Sequence, residues 1–100
     1  MTRGTTPTHI FTLPIFASNI DKLRITYSQG KDIVLEKTEA DIERSGKTIK
    51  YTLTQEETLK FSAKLRVNIQ VRVLTTDSMA LASSVKKLSV SEVLNEEVLN

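Results

Sequence analysis

Residues 65–74 alternate strictly between apolar and polar side chains over a length that suits one β-strand. The apolar places hold Leu65, Val67, Ile69, Val71 and Val73. The polar places hold Arg66, Asn68, Gln70 and Arg72. A helix would scatter this pattern around its circumference, because its period is not two. The segment therefore predicts a long strand with one buried face and one wet face.

Shorter strand patterns, separated by turn residues, flank this strand. We predict strands over 8–13, 22–28, 32–37 and 48–53, a short strand around Ile42, and a last strand from 81 to 90 that is interrupted or bulged near 83–84. In the strand over 32–37, Ile33 and Leu35 are the predicted inward residues. Thr54 and Glu57 have the spacing of a capping box, which predicts one helical turn over about 54–59.

Six to seven short strands with frequent turn signals favour an all-β fold, an immunoglobulin-like antiparallel β-sandwich. A small, partly open barrel is the alternative. The 100 residues suit a single domain, which we place at 8–90. A flexible or docking arm over 1–7 precedes it, and a short C-terminal helical tail over 91–100, capped by Ser91, follows it.

Composition argues against several classes of partner. The chain has no cysteine, no signal-peptide pattern and no segment of transmembrane length, so we expect it to fold in a cytoplasm and to contact no membrane. Its 14 basic and 12 acidic residues leave a net charge of +2, and this positive excess is too small to indicate nucleic-acid binding. Aromatic residues are few and are not interleaved with Lys or Arg.

The sequence carries no pattern of residues typical of an enzyme. His9 is the only histidine, and no cysteine or cluster of carboxylates accompanies it as a metal site would require. The adjacent pairs Glu56-Glu57 and Glu96-Glu97 point apart in a helical turn and fit capping and solvation better than catalysis. Phosphate-binding loops need glycine-rich runs, which are absent. We therefore expect no enzyme activity, cofactor, metal or small-molecule substrate.

Three groups of residues are candidates for contact with other proteins. The arm offers Thr5, Thr6, Pro7 and Thr8, an extended context that suits addition of a strand to a neighbour. The tail offers the apolar stripe that includes Leu94 and Val98. The strand over 65–74 offers its outward row, Arg66, Asn68, Gln70 and Arg72. The alternatives are a disordered arm, a tail packed on its own sandwich, and an ordinary solvated face.

Several segments together carry a family resemblance over nearly the whole chain. They are residues 3–9, 11–14, 25–29, 34–37, 53–58 and 69–74. The chain resembles a family of proteins of similar length encoded in phages and prophages of Firmicutes, which we associate with virion structural genes. The order of Leu53-Thr54-Gln55-Glu56-Glu57, the long Arg-bearing strand, Ala82-Ser83 and Val90 is more loosely similar to the immunoglobulin-like N-terminal module of phage baseplate upper proteins.

The resemblance implies a virion structural protein, an adaptor or decoration subunit of the tail, baseplate or neck. Its partners would be other virion proteins and copies of itself, and it would be made and assembled in the cytoplasm of the bacterial host. A capsid decoration or head-completion protein is the alternative, and a non-virion phage regulator or host-protein inhibitor is a further one. A carbohydrate-binding module needs exposed aromatic residues, and Tyr27 and Tyr51 are both predicted to point inward.

Overall fold

The computed structural model describes residues 1–83 and 85–99, which form two antiparallel sheets around one apolar core. The strands are β1 (Thr8–Thr12), β2 (Ile20–Gln29), β3 (Asp32–Thr38), β4 (Glu43–Ser45), β5 (Thr48–Thr52), β6 (Val67–Thr75), β7 (Ala80–Ala82) and β8 (Lys86–Leu88). A 3-10 turn covers Ala17–Asn19, and one short helix, α1, covers Gln55–Leu59. Among the described residues, no helix is long and apolar enough to cross a membrane.

The sheets confirm the all-β sandwich. The three-stranded sheet has the order β1-β5-β4, and the five-stranded sheet has the order β3-β2-β6-β7, with β8 also paired to β6. The last strand is interrupted as predicted, since β7 and β8 pair with different parts of β6. Ser84 lies outside the described residues. Immunoglobulin domains place their second strand in the sheet of the first and fifth. Here β2 lies in the other sheet, so the likeness is one of architecture rather than strand order.

Strand β6 runs through the middle of the five-stranded sheet between β2 and the β7–β8 pair. Its predicted inward residues are confirmed as core: Val67, Ile69, Val71 and Val73 are all buried. The prediction that Leu65 continues this row is wrong, because Leu65 is 51 % exposed. The Gln29 side-chain amide donates to the carbonyls of Ser62 and Leu65 and accepts from the Ser62 amide. These bonds hold 62–65 as a turn, so the alternation begins at Val67.

The hairpin between β2 and β3 contains a bulge. Tyr27 pairs with Leu35, but the next residue, Ser28, pairs with Ile33, so Val34 is an extra residue in β3. An extra residue reverses the facing of everything beyond it. The prediction that Ile33 points inward is therefore wrong, and its side chain is 64 % exposed.

The helical turn at α1 begins with the predicted capping box. The Thr54 hydroxyl accepts from the Glu57 amide at 3.1 Å, and the Glu57 carboxylate accepts from the Thr54 amide at 2.8 Å. Both bonds satisfy backbone groups that a helix start leaves without partners. Thr58 within this turn and Phe61 just after it are both buried.

The C-terminal helix predicted over 91–100 is wrong for the described part, because residues 91–99 contain no helix. Ser91 forms a parallel bridge with Thr2 instead of capping a helix. Its amide donates to the Met1 carbonyl at 2.8 Å, and its carbonyl accepts from the Arg3 amide at 3.0 Å. Pairing with the N-terminal segment thus holds the start of the tail extended. Asn100 lies outside the described residues.

Candidate protein-contact surface

The outer face of the five-stranded sheet carries most of the predicted polar row. On this face Asn68 and Gln70 are half-buried and Arg72 is exposed. Cross-strand pairing places Asn68 beside Ser28 and Lys87 and places Gln70 beside Thr26. The Gln70 side chain also donates to the Ser83 carbonyl at 3.1 Å.

Arg66, the fourth predicted member of this row, is exposed but precedes β6. The structure therefore brings Asn68, Gln70 and Arg72 together on one face of one strand, with Arg66 just beyond its start.

Two arginines lie directly opposite each other at one end of this face. Arg72 on β6 pairs in register with Arg24 on β2. Like charges in directly opposite positions destabilise a sheet. Arg24 forms an ion pair with Glu39, whose carboxylate lies 2.8 Å from its guanidinium, and Glu36 lies 3.8 Å away. Hydrogen bonds from backbone amides, its own and that of Leu23, lower the pKa of Glu39 and favour this charged state.

Arg72 and its neighbour Lys22 form no such ion pair with the described residues. Neither side chain forms an ion pair or hydrogen bond with any residue that the structure describes. A shallow depression of about 390 Å³ lies between them, and its floor is apolar. We call this surface the cationic patch, defined by Lys22, Arg24, Arg72, Leu74, Ala80 and Ala82.

The N-terminal arm lies against its own domain. The Arg3 side chain is only 12 % exposed, and its guanidinium donates to Glu92 at 2.8 Å, to Glu96 at 2.5 Å and to the Leu59 carbonyl at 2.9 Å. The hydrogen bonds that Arg3 donates to Glu96 and then to Glu92 raise the pKa of Arg3. Segment 1–3 and segment 89–96 are therefore clasped together near α1, and we call this arrangement the terminal clasp.

The predicted contact residues of the arm continue from this clasp into β1. The Thr5 and Pro7 carbonyls accept from the Thr58 hydroxyl and the Leu53 amide, both at 2.9 Å. The Thr8 hydroxyl lies 2.7 Å from that of Thr52. The Thr5, Thr6 and Thr8 side chains remain exposed. Their contact with another protein stays a prediction.

The tail residues differ in exposure. Leu94 is fully exposed, whereas Val98 is half-buried. The Gln55 side chain pairs with the backbone of Leu99, donating to its carbonyl at 2.8 Å and accepting from its amide at 2.7 Å. A contact role for Leu94 and Val98 stays a prediction as well.

A buried polar cluster that the sequence does not predict links α1 to both sheets. Its centre is the Glu57 carboxylate, which lies 2.6 Å from the Lys37 ammonium and accepts from the Tyr51 hydroxyl at 2.8 Å. Burial alone would raise the pKa of Glu57, but bonds from Lys37, the Thr54 amide and Tyr51 outweigh it and lower that pKa. The same hydrogen bond from Lys37 has the opposite effect on its donor and raises the pKa of Lys37. The capping-box spacing is the only sequence signal that pointed to Glu57.

His9 and Tyr27 form a second buried contact. The His9 Nδ1 and the Tyr27 hydroxyl are 2.9 Å apart. Burial lowers the pKa of His9 and raises the pKa of Tyr27, so it favours the neutral form of both side chains. Tyr27 is fully buried, as predicted, and Tyr51 packs half-buried against the core. Within residues 1–83 and 85–99, no group of His, Cys, Asp or Glu side chains could hold a metal ion.

Comparison with protein-family models, with curated proteins and with solved structures gives no match. Of the features above, the cationic patch combines two exposed cations, Lys22 and Arg72, that have no partner among the described residues with an apolar floor.

Proposed function

We propose that this protein is a structural subunit of a bacteriophage particle that acts by binding other proteins of the particle and copies of itself. Its place would be the tail, baseplate or neck, as an adaptor or decoration subunit assembled in the host cytoplasm. The observation that carries the protein-binding role is the cationic patch, where Arg72 faces Arg24 and has no partner among the described residues. The phage setting rests on the sequence resemblance.

The placement of Arg72 opposite Arg24 costs some stability of the sheet. An arginine opposite another arginine weakens the pairing of β2 with β6, and it gains nothing from the neighbouring carboxylates, which bind Arg24. A partner that brings negative charge to Arg72 removes this penalty only in the complex. Such charge complementarity increases the rate and specificity of association.

The test is the protein content of purified particles. We expect mass spectrometry to find the chain in stable proportion to known structural proteins, and cross-links from it to reach tail, baseplate or neck proteins. Cross-links to portal or major capsid proteins would assign it to the head instead. Absence from purified particles would reject the structural role and favour the regulator.

A charge variant tests whether the patch mediates incorporation. Arg72→Glu is expected to reduce incorporation about tenfold or more, since it reverses the charge that meets the partner. Lys31→Glu is the matched control, because Lys31 is also exposed but lies in the β2–β3 turn, away from the patch. Equal incorporation of the two variants would show that the patch is not the contact.

A further inference from the structure

Strand β7 is a free edge beside the cationic patch. Within residues 1–83 and 85–99, the only strand that pairs with β7 is β6. Thr75 with Met79 and Val71 with Ser83 are hydrogen-bonded pairs on either side of it. Bonded and non-bonded pairs alternate in an antiparallel ladder, so Leu81 bonds β6 while Ala80 and Ala82 direct their amides and carbonyls away from it. These backbone groups are open to a further strand.

An apolar notch lies beneath this edge, between the two sheets. Its volume is about 170 Å³. β1 is the outer strand of the three-stranded sheet, so the sandwich is open on this side. The lining is mainly apolar and includes Leu13, Ile15, Val71, Val73 and Leu81. A side chain that points inward from a strand added to β7 would enter this notch.

The cationic patch lies on the other side of the same edge. Arg72 pairs in register with Ala82, whose small side chain leaves room for the guanidinium to extend across β7. A strand added to β7 lies about 10 Å from β6, a distance that an arginine side chain largely spans. Outward-pointing residues of the added strand would therefore meet positive charge.

We propose that β7 accepts an extended segment of a partner protein as an additional strand, with acidic side chains on the patch and apolar side chains in the notch. Backbone bonds to Ala80 and Ala82 supply affinity, and the alternation of charge and apolarity supplies specificity. The inference rests on the proposed function, since both assign this face to protein contact. It adds which edge is used and what sequence pattern the partner presents.

Charge favours a different protein over a second copy of this chain. If β7 paired with β7 of a second copy, the two cationic patches would adjoin, and the Arg72 side chains would repel each other. Like-charge juxtaposition of this kind selects against the wrong partner. The occupant is therefore an acidic and apolar segment rather than another β7.

The experiment uses the full chain and a blocked, fluorescein-labelled peptide that alternates Glu and Val. We expect saturable binding by fluorescence anisotropy, weakened by salt, with amide shifts centred on Ala80 and Ala82 in NMR spectra. A peptide with the same residues in two blocks, Glu then Val, and a peptide with Lys in place of Glu are the controls. Both are expected to bind about tenfold more weakly or not at all.

Two variants separate the contributions of charge and backbone. Arg72→Glu is expected to weaken peptide binding about tenfold or more, and Lys31→Glu to leave it unchanged. Ala82→Pro removes an amide that points away from β6, so the domain should still fold while the added strand loses a bond and meets the proline ring. A thermal melt checks that each variant is folded.

Some outcomes would overturn the inference. Equal binding of the alternating and block peptides, or binding that Ala82→Pro does not affect, would exclude strand addition at β7. Concentration-dependent dimerisation that Ala82→Pro abolishes would identify a second copy as the occupant. If particles contain the wild-type and Ala82→Pro proteins equally, the strand addition fails while the structural role stands.

Discussion

The charged side chains around Glu57 and those around Arg72 belong to one small domain but differ in whether they have bonding partners within the chain. The Glu57 carboxylate is buried and accepts hydrogen bonds from Lys37, Tyr51 and the Thr54 amide. The Arg72 guanidinium is exposed, faces Arg24 and bonds no described residue.

The difference separates charges that hold the fold from charges available to a partner. A buried carboxylate without its donors costs several kcal/mol, so the Glu57 cluster must be complete within the chain. An exposed guanidinium is solvated by water and can stay unpaired at small cost. Variants at Glu57 should therefore change mainly the stability of the fold, whereas variants at Arg72 should change mainly the binding of a partner.

The largest expected effect follows removal of the central carboxylate. Glu57→Ala leaves the Lys37 ammonium, the Tyr51 hydroxyl and the Thr54 amide without their acceptor, so we expect a loss of about 3 kcal/mol in the free energy of unfolding. Urea denaturation measures it. Glu56→Ala, at an exposed position in the same helical turn, is the control and should change stability by less than about 0.5 kcal/mol. Similar losses in both variants would mean that the cluster does not hold the fold.

A smaller loss is expected when only the cation is removed. Lys37→Met keeps most of the apolar stem but leaves the Glu57 carboxylate with the Tyr51 and Thr54 bonds alone, so we expect destabilisation of about 2 kcal/mol. Lys31→Met at an exposed turn position is the matched control. No difference between the two variants in urea denaturation would show that the ion pair adds nothing to the other bonds.

The Glu57 cluster also predicts how stability depends on pH. The pKa of Glu57 is lowered in the folded state, so its contribution is present above the ordinary carboxyl pKa of about 4 and is lost as pH falls through the lowered value. The pKa of Lys37 is raised in the folded state, so the Lys37–Glu57 ion pair persists until the pH rises through this raised pKa, which lies above the ordinary lysine value of about 10. Wild type should therefore exceed Glu57→Gln in stability at about pH 7, and the difference should narrow as the pH falls below the ordinary carboxyl pKa of about 4. A constant difference across this range would contradict the assignment.

The smallest expected effect has the opposite sign. Arg72→Glu replaces repulsion with attraction to Arg24, so we expect a gain of about 0.5 kcal/mol in unfolding free energy, together with loss of partner binding. Arg72→Gln removes the repulsion without adding attraction and should gain less. A destabilised Arg72→Glu would mean that Arg72 contributes to the fold, and the contrast with Glu57 would fail.

Local patterns predicted much of this fold. Alternation over 67–73 fixed which side of β6 is buried, and the Thr54–Glu57 spacing predicted the capped turn. Ile33 was misplaced by a one-residue bulge in β3, and the other two errors arose where a distant residue intervened. The Gln29 side chain holds 62–65 as a turn and exposes Leu65, and pairing of Ser91 with Thr2 replaces the expected tail helix.

The candidate surface was only partly predictable for the same reason. The outward position of Arg72 follows from alternation, but its apposition to Arg24 depends on the register of β2 against β6. The contacts of Lys37 and Tyr51 with Glu57 likewise join residues from β3, β5 and α1. Long-range register of this kind is set by packing of the whole sandwich, which a single sequence does not display.

The terminal clasp has a mechanical consequence. The segments that contain Thr2 and Ser91 run parallel, so forces that pull the two chain ends apart would slide these segments past one another. The backbone bonds of Ser91 to Met1 and Arg3, and the ion pairs of Arg3, would then bear tension together rather than rupture one after another. Stretching therefore meets shear resistance at the clasp before any strand of the sandwich is loaded.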